Sequence, residues 1–307
     1  MGQETRGPIG IDAMKKGKKR AKMGPWPRLQ KFWDIRAAGN FIGGGTGSGL
    51  LMIAAIFILI GKISIAAIIV GAISVSLGLL MVFLEIGRPW RSINMFFHPQ
   101  TSWMTREGIV VMPLFLTAGL AVFYAGQPIN ITIAIFMGFF ALVFLYCQVR
   151  ILHAAKGIPA WRHPCLRPYI FSTGITEALG VAVCIPGLMT EQGLWIALTI
   201  ALTIRFLFWK NYLKNLERDG APEASCAVFE EINPKVQLAH IIAIVLLVAA
   251  WLTQMPILAV PAGLIATATG WTIKAIIVTK AAQTRGFAIP RTPVRGQGKS
   301  RVLGRQR

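Results

Sequence analysis

The chain has 307 residues, 54% of them hydrophobic and only 14% charged, with a mean hydropathy of +0.59 and a formal net charge of +20. Charged residues run near a quarter in soluble domains, and disordered chains are poor in apolar residues, so both classes are excluded. With four scattered Cys and no Gly period, disulfide-rich and collagen-like classes fail too, which leaves an integral membrane protein.

Residues 1–36 form a basic tail, Gly/Pro/Lys-rich at its start and without a cleavable leader pattern. Eight apolar segments of spanning length follow, at about 41–60, 64–84, 108–125, 129–147, 171–189, 193–209, 236–252 and 257–278. Connections at 61–63, 126–128, 190–192 and 253–256 are very short. Those at 85–107, 148–170 and 210–235 are longer, polar and basic. The expected fold is an all-α bundle of eight transmembrane helices over residues 37–280, arranged as four tight hairpins. A second basic tail follows at 281–307.

Of the 32 Lys+Arg, only Lys62 falls on the short-loop side. The positive-inside rule then puts both termini and the long connections in the cytoplasm. Basic tails beside membrane spans set topology and touch anionic lipid, so no nucleic-acid partner is expected. Trp33, Trp90, Trp103, Trp161 and Trp209 on the inner side, with Trp195 and Trp251 on the outer, suit an interfacial belt.

The run Gly43-Gly44-Gly45-Thr46-Gly47-Ser48-Gly49 lies inside a span and lacks the Lys-Ser/Thr of a phosphate loop. Its four-residue spacings predict close helix packing, and the smooth Gly face could also admit a flat ring or an isoprenoid tail. Haem in a bundle needs paired His, yet His98, His153 and His163 lie in connections and only His240 starts inside a span. Cys147, Cys165, Cys184 and Cys226 lack cluster spacing. Neither haem nor an iron–sulfur cluster is expected in this chain.

Ionisable residues at membrane depth mark function by default. Glu85, Glu107, Glu177, Arg205, His240 and Lys274 all fall in the expected cytoplasmic half. Lys274 and Arg205 are expected to snorkel or to pair with an acid such as Glu177. Glu85 stands beside Arg88 and Arg91, either as a proton acceptor tuned by an Arg or as an Arg-paired helix end.

Three stretches together resemble a known family. LEIGRPWRSINMFFHPQTSWMTREGI, 84–109, and YCQVRILHAAKGIPAW, 146–161, are similar to motifs of membrane anchor subunits in the dimethyl sulfoxide reductase family, the polysulfide-reductase-like anchors. VTKAAQTRGFAIPRTPVRG, 278–296, looks like the branch linked to phenylacetyl-CoA:acceptor oxidoreductases. The resemblance covers nearly all of 34–296. It implies an inner-membrane anchor in a bacterium or archaeon, with its partner face in the cytoplasm. The implied partners are a ferredoxin-like iron–sulfur subunit and a large molybdenum or tungsten bis-pterin catalytic subunit. It also implies a quinone site, for menaquinone or ubiquinone, that exchanges electrons with the nearest partner cluster.

On that reading Glu85 and Glu107 do the proton work. Glu85 stands where the family carries a His tied to quinol oxidation. Arg88, Arg91, Arg106, Arg150 and His153 supply positive charge or hydrogen bonds to the ring, and Trp103 stacks on it or anchors the interface. The rival class is a proton-coupled secondary transporter using Glu177, Arg205 and Lys274; the nearly uncharged outer half disfavours it.

Overall fold

The computed structural model describes residues 26–86, 93 and 96–286. Among these, the only strand-like pairing is one isolated bridge between Leu29 and Gln283; all else that is regular is helix. The helices are α1 (Ile35–Leu59), α2 (Ile65–Glu85), α3 (Trp103–Phe123), α4 (Asn130–Ala154), α5 (Pro159–Arg162), α6 (Leu166–Ala182), α7 (Gln192–Arg218), α8 (Glu223–Thr253) and α9 (Ala259–Thr279).

Seven helical segments, all but α5 and α6, are long and apolar enough to cross a membrane, at 21 to 31 residues. The chain is a multi-pass helical membrane protein. The segment expected at 171–189 is only partly helical. α6 has 17 residues and gives way to turns after Ala182. The cause is Pro186, which lacks an N–H and whose ring would collide with the carbonyl of Ala182 in a continued helix.

Ser64 and Ser102 cap α2 and α3 by accepting the backbone N–H of Ala67 and Thr105, each at 3.3 Å. The tight turns after α1 and α3 use Gly61 and Gly126 at φ +79° and +82°, a region costly for any residue with a Cβ. The long connection expected at 210–235 is mostly helix: α7 continues to Arg218 and α8 begins at Glu223. The extension forms because Trp209 and Tyr212 on α7 meet Phe229 on α8 and Leu216 is buried one turn on, a stripe at helical spacing.

α1 and α6 are the innermost helices. α1 packs on α2, α4, α6 and α9, and α6 packs on α1, α4, α7 and α9. The Gly-rich run sets both contacts. A Cβ at Gly43 or Gly47 would come within 2.5 Å of the Ser74 or Gly71 carbonyl on α2, and one at Gly49 within 2.9 Å of the Gly174 carbonyl on α6. Close packing is what the spacing predicts.

The belt expectation needs correcting at three tryptophans. Trp161, Trp195 and Trp209 are buried, and their indole N–H groups donate to Ile277 O, Met189 O and Asn233 Oδ1. Trp90 lies outside the described residues. Trp33 stacks on Trp161 at 4.9 Å, where the two ends of the described chain also meet: Thr284 N donates to Arg28 O at 2.7 Å and Gln30 N to Ala282 O at 2.9 Å.

Candidate functional site

Three polar groupings lie in or against the bundle. The first is a crevice where α1, α2, α3 and α4 converge. Its walls include Asn40, Val82, Glu85, Met104, Glu107 and Ile151, around a volume of about 40 Å³. The two acids singled out in the sequence therefore line one space.

Glu107 sits in the second turn of α3 and is buried. Its Oε1 accepts Gln148 Nε2 at 3.1 Å and Asn40 Nδ2 at 3.3 Å; Gln148 Nε2 also donates to Asn40 O at 2.9 Å. Among the described residues no group bonds Glu107 Oε2, and Asn40 Oδ1 is buried without a partner. A Cβ at Gly44 would lie 1.9 Å from Gln148 Nε2, so the glycine makes the room this amide occupies.

Glu85, half-buried, ends α2 at the crevice rim. Beside it Arg36 donates to Leu84 O at 2.8 Å and pairs with Asp34 at 2.8 Å. Those Arg36 hydrogen bonds hold the Asp34 carboxyl below the ordinary aspartate range. Arg88 and Arg91, expected to tune Glu85, lie outside the described residues.

The second grouping gathers the other expected ring-binding residues, on a different side of α3 and α4. The guanidinium carbons of Arg106 and Arg150 lie 4.1 and 4.5 Å from the centre of the Trp103 ring. Arg106 also donates to Pro99 O and Gln100 O at 2.7 and 2.9 Å. Arg150 Nη1 donates to Tyr146 Oη at 3.1 Å, while Arg150 Nε and His153 Nδ1 are buried without partners among the described residues. Neither Trp103, Arg106, Arg150 nor His153 lines the crevice.

The third grouping ties α1, α6 and α9 together in the core. Lys274 Nζ donates to Glu177 Oε2 at 2.6 Å and to Phe41 O at 2.8 Å. Thr46 Oγ1 donates to the same carboxylate oxygen at 2.9 Å, and Trp271 Nε1 donates to Thr46 Oγ1 at 2.9 Å. Lys274 thus pairs with Glu177, as expected of a buried cation. Arg205 does not. It donates to His240 Nε2 at 3.0 Å and to Ala266 O at 2.8 Å. His240 Nδ1 lies 2.7 Å from Val236 O, so its proton belongs on Nδ1 and its Nε2 lone pair faces Arg205. Among the described residues Glu177 Oε1, Arg205 Nη2 and Tyr169 Oη are buried without partners.

The first and third groupings approach each other. Gln148 Oε1 and Lys274 Nζ lie 3.7 and 2.5 Å from the point where Gly45 would carry a Cβ. Asn40 and Gln148 carry no charge at membrane depth to mark them in the sequence; their signal is an amide at helical spacing from other buried positions.

Fold and polar groupings define a class: a multi-pass helical membrane protein with ionisable side chains buried in its bundle. No protein-family model matches the sequence, and no curated protein matches it.

Proposed function

We propose that the chain is the membrane anchor and quinone-reactive subunit of a multi-subunit molybdenum or tungsten bis-pterin oxidoreductase, passing electrons between the quinone pool and an iron–sulfur partner subunit. On this reading it has eight spans, α6 being the eighth. Both termini and the docking face lie in the cytoplasm of a bacterium or archaeon. At 1.5 Å per residue the 17 residues of α6 cover roughly 25 Å, close to the hydrocarbon thickness. The sidedness rests on the Lys/Arg asymmetry.

The observation that carries the quinone reading is the crevice. Glu85 and Glu107, 22 positions apart in sequence, both line it, and Asn40 has a buried acceptor without a partner among the described residues. A quinone supplies a carrier that takes up or gives up two protons with two electrons. The donor set suits such a ring. Asn40 Oδ1 accepts a hydroxyl, Glu107 Oε2 holds or releases a proton, and Glu85 at the rim exchanges that proton with water. The space of about 40 Å³ holds a water or two, so a ring reaches the acids only when a wall side chain moves. Met104, exposed at the rim and unbranched, is the side chain able to do so.

The test begins with a mild-detergent purification of the chain and iron, molybdenum and tungsten analysis of the eluate. A cluster protein and a large metal-bearing subunit should co-elute. In that complex Glu107→Gln and Glu85→Gln should each lower quinone-linked turnover by about a hundredfold while dye-linked activity persists. Unchanged quinone kinetics in both variants would remove the crevice from the mechanism. A second reading, a proton-coupled transporter, draws on the buried Glu177–Lys274 pair and the unpartnered Glu177 Oε1 and Arg205 Nη2. A metal-free eluate with proton flux abolished by Glu177→Gln would favour it.

A further inference from the structure

We propose that the α3–α4 face around Trp103 and Arg150 holds the phosphate of an anionic phospholipid, with the acyl chains lying along the two helices below it. The inference rests on the chain being a membrane protein and is independent of the quinone reading.

Charge comes first. Between Glu107 and Glu177 the sequence contains no Asp or Glu, yet it carries Arg150, Lys156, Arg162 and Arg167. Among the described residues the charged groups near His153 are Arg167, Arg150 and Arg162, all cations. Arg106 adds a fourth guanidinium against the Trp103 ring that Arg150 also covers. The nearest acid in sequence, Glu107, is turned into the crevice and bonded to Asn40 and Gln148. The two guanidinium groups on the Trp103 ring, with the other two cations near His153, repel one another unless an anion lies among them. Among the described residues Arg150 Nε and His153 Nδ1 are buried without a partner, so no acid neutralises the cluster from within.

Geometry then selects the kind of anion. Trp103 packs edge-on against Tyr146 at 5.7 Å, so the α3 and α4 faces adjoin at this end. Below Arg106 on α3, Ile109, Met112 and Leu116 follow at spacings of three and four and are exposed. Below Arg150 and Tyr146 on α4, Leu142 and Phe139 do the same. Each helix therefore presents a cationic, aromatic head above an apolar lipid-facing row. That matches a two-chain amphiphile with an anionic head. A free phosphate or an acidic protein segment would use the head and leave the rows unused. Guanidinium groups suit phosphate oxygens because their N–H donors form a planar fork.

The experiment uses the full chain, delipidated in mild detergent. Phosphatidylglycerol, phosphatidylcholine and inorganic phosphate are added separately. Thermal melting and native mass spectrometry read binding. Phosphatidylglycerol should raise the melting temperature and remain bound, and the other two should not. Arg150→Gln should weaken phosphatidylglycerol binding about tenfold, the loss of one charge-assisted contact, while Lys62→Gln at the opposite end of α1 should leave it unchanged. If Arg150→Gln fails to fold, the double variant Arg162→Gln/Arg167→Gln carries the test. Equal stabilisation by phosphatidylcholine, an equal shift from inorganic phosphate, or undiminished binding in the variants would each overturn the proposal.

Discussion

Replacing Lys274 by Met should destabilise the bundle strongly, and replacing Glu177 as well should restore most of the loss. Lys274 is 1% exposed and Glu177 0%, so neither charge has water to fall back on. Met keeps the length of the lysine stem and removes the ammonium. Glu177 Oε2 then retains only Thr46 Oγ1, Phe41 O loses its donor, and a carboxylate is left without a counter-charge among α1, α6 and α9. Breaking one member of a buried ion pair costs about 3–5 kcal/mol, whereas exchanging the whole pair for uncharged groups of similar size is close to neutral. The double variant Glu177→Gln/Lys274→Met should therefore sit within about 2 kcal/mol of the parent; with about 3–5 kcal/mol lost in each single variant, the coupling energy is at least about 4 kcal/mol. Unfolding of the four proteins in mild detergent, by heat or by an SDS titration, reads the cycle. Interhelical hydrogen bonds in membranes average about 0.6 kcal/mol. A coupling that small would mean that Glu177 and Lys274 are solvated or uncharged, and the argument from burial would fail.

Two further outcomes follow from the packing and from the loop at the end of α7. Gly47→Ala should destabilise by about 1–3 kcal/mol in the same unfolding assay, because its Cβ would meet the Gly71 carbonyl at 2.5 Å and the Val75 N at 2.7 Å; these are backbone atoms that cannot turn away. Gly119→Ala, with open space at its Cβ, is the matched control and should cost nothing measurable. Asp219, at the end of α7, bonds His163 Nε2 at 3.1 Å and Arg218 Nε at 3.2 Å, and these bonds hold its carboxyl below the ordinary range. A depressed carboxyl contributes stability above its unfolded value, near 3.9, and loses it as pH falls through the folded value. Asp219→Asn should thus melt lower than the parent at pH 6, and the difference should shrink as pH falls below 4; a difference that grows at acid pH would contradict the assignment.

Much of the bundle is legible in the residues. Apolar runs of spanning length, Gly61 and Gly126 at the turns, and the spacing of Gly43, Gly45, Gly47 and Gly49 point to helices that the structure contains. The pairing of Lys274 with an acid is legible as well, since an ammonium inside a span has few other ways to stay charged. What hydropathy does not report is where a helix stops in water. α7 and α8 extend past their apolar cores because Trp209, Tyr212 and Phe229 give the extensions a buried stripe of their own. A window average over Lys210, Lys214, Glu230 and Glu231 hides that stripe.

That end effect also explains which site residues come together. Hydropathy alone ends a span at Cys147 and leaves Gln148 onward as a connection, where residues near in sequence can face one ligand. α4 instead runs through Ala154. At about 100° per residue, Gln148 and Arg150 then point about 200° apart. Gln148 goes inward to Glu107 and Asn40, while Arg150 goes outward to Trp103. The same phase divides Arg106 from Glu107 on α3, whose first turn begins at Trp103 and not at Gly108. Two charged residues adjacent in the chain thus serve two different faces, one lining a crevice between four helices and the other heading a lipid-facing row. The amides that complete the crevice carry no charge to mark them; they become visible only when the helical phase of α1 and α4 turns Asn40 and Gln148 toward the same carboxylate.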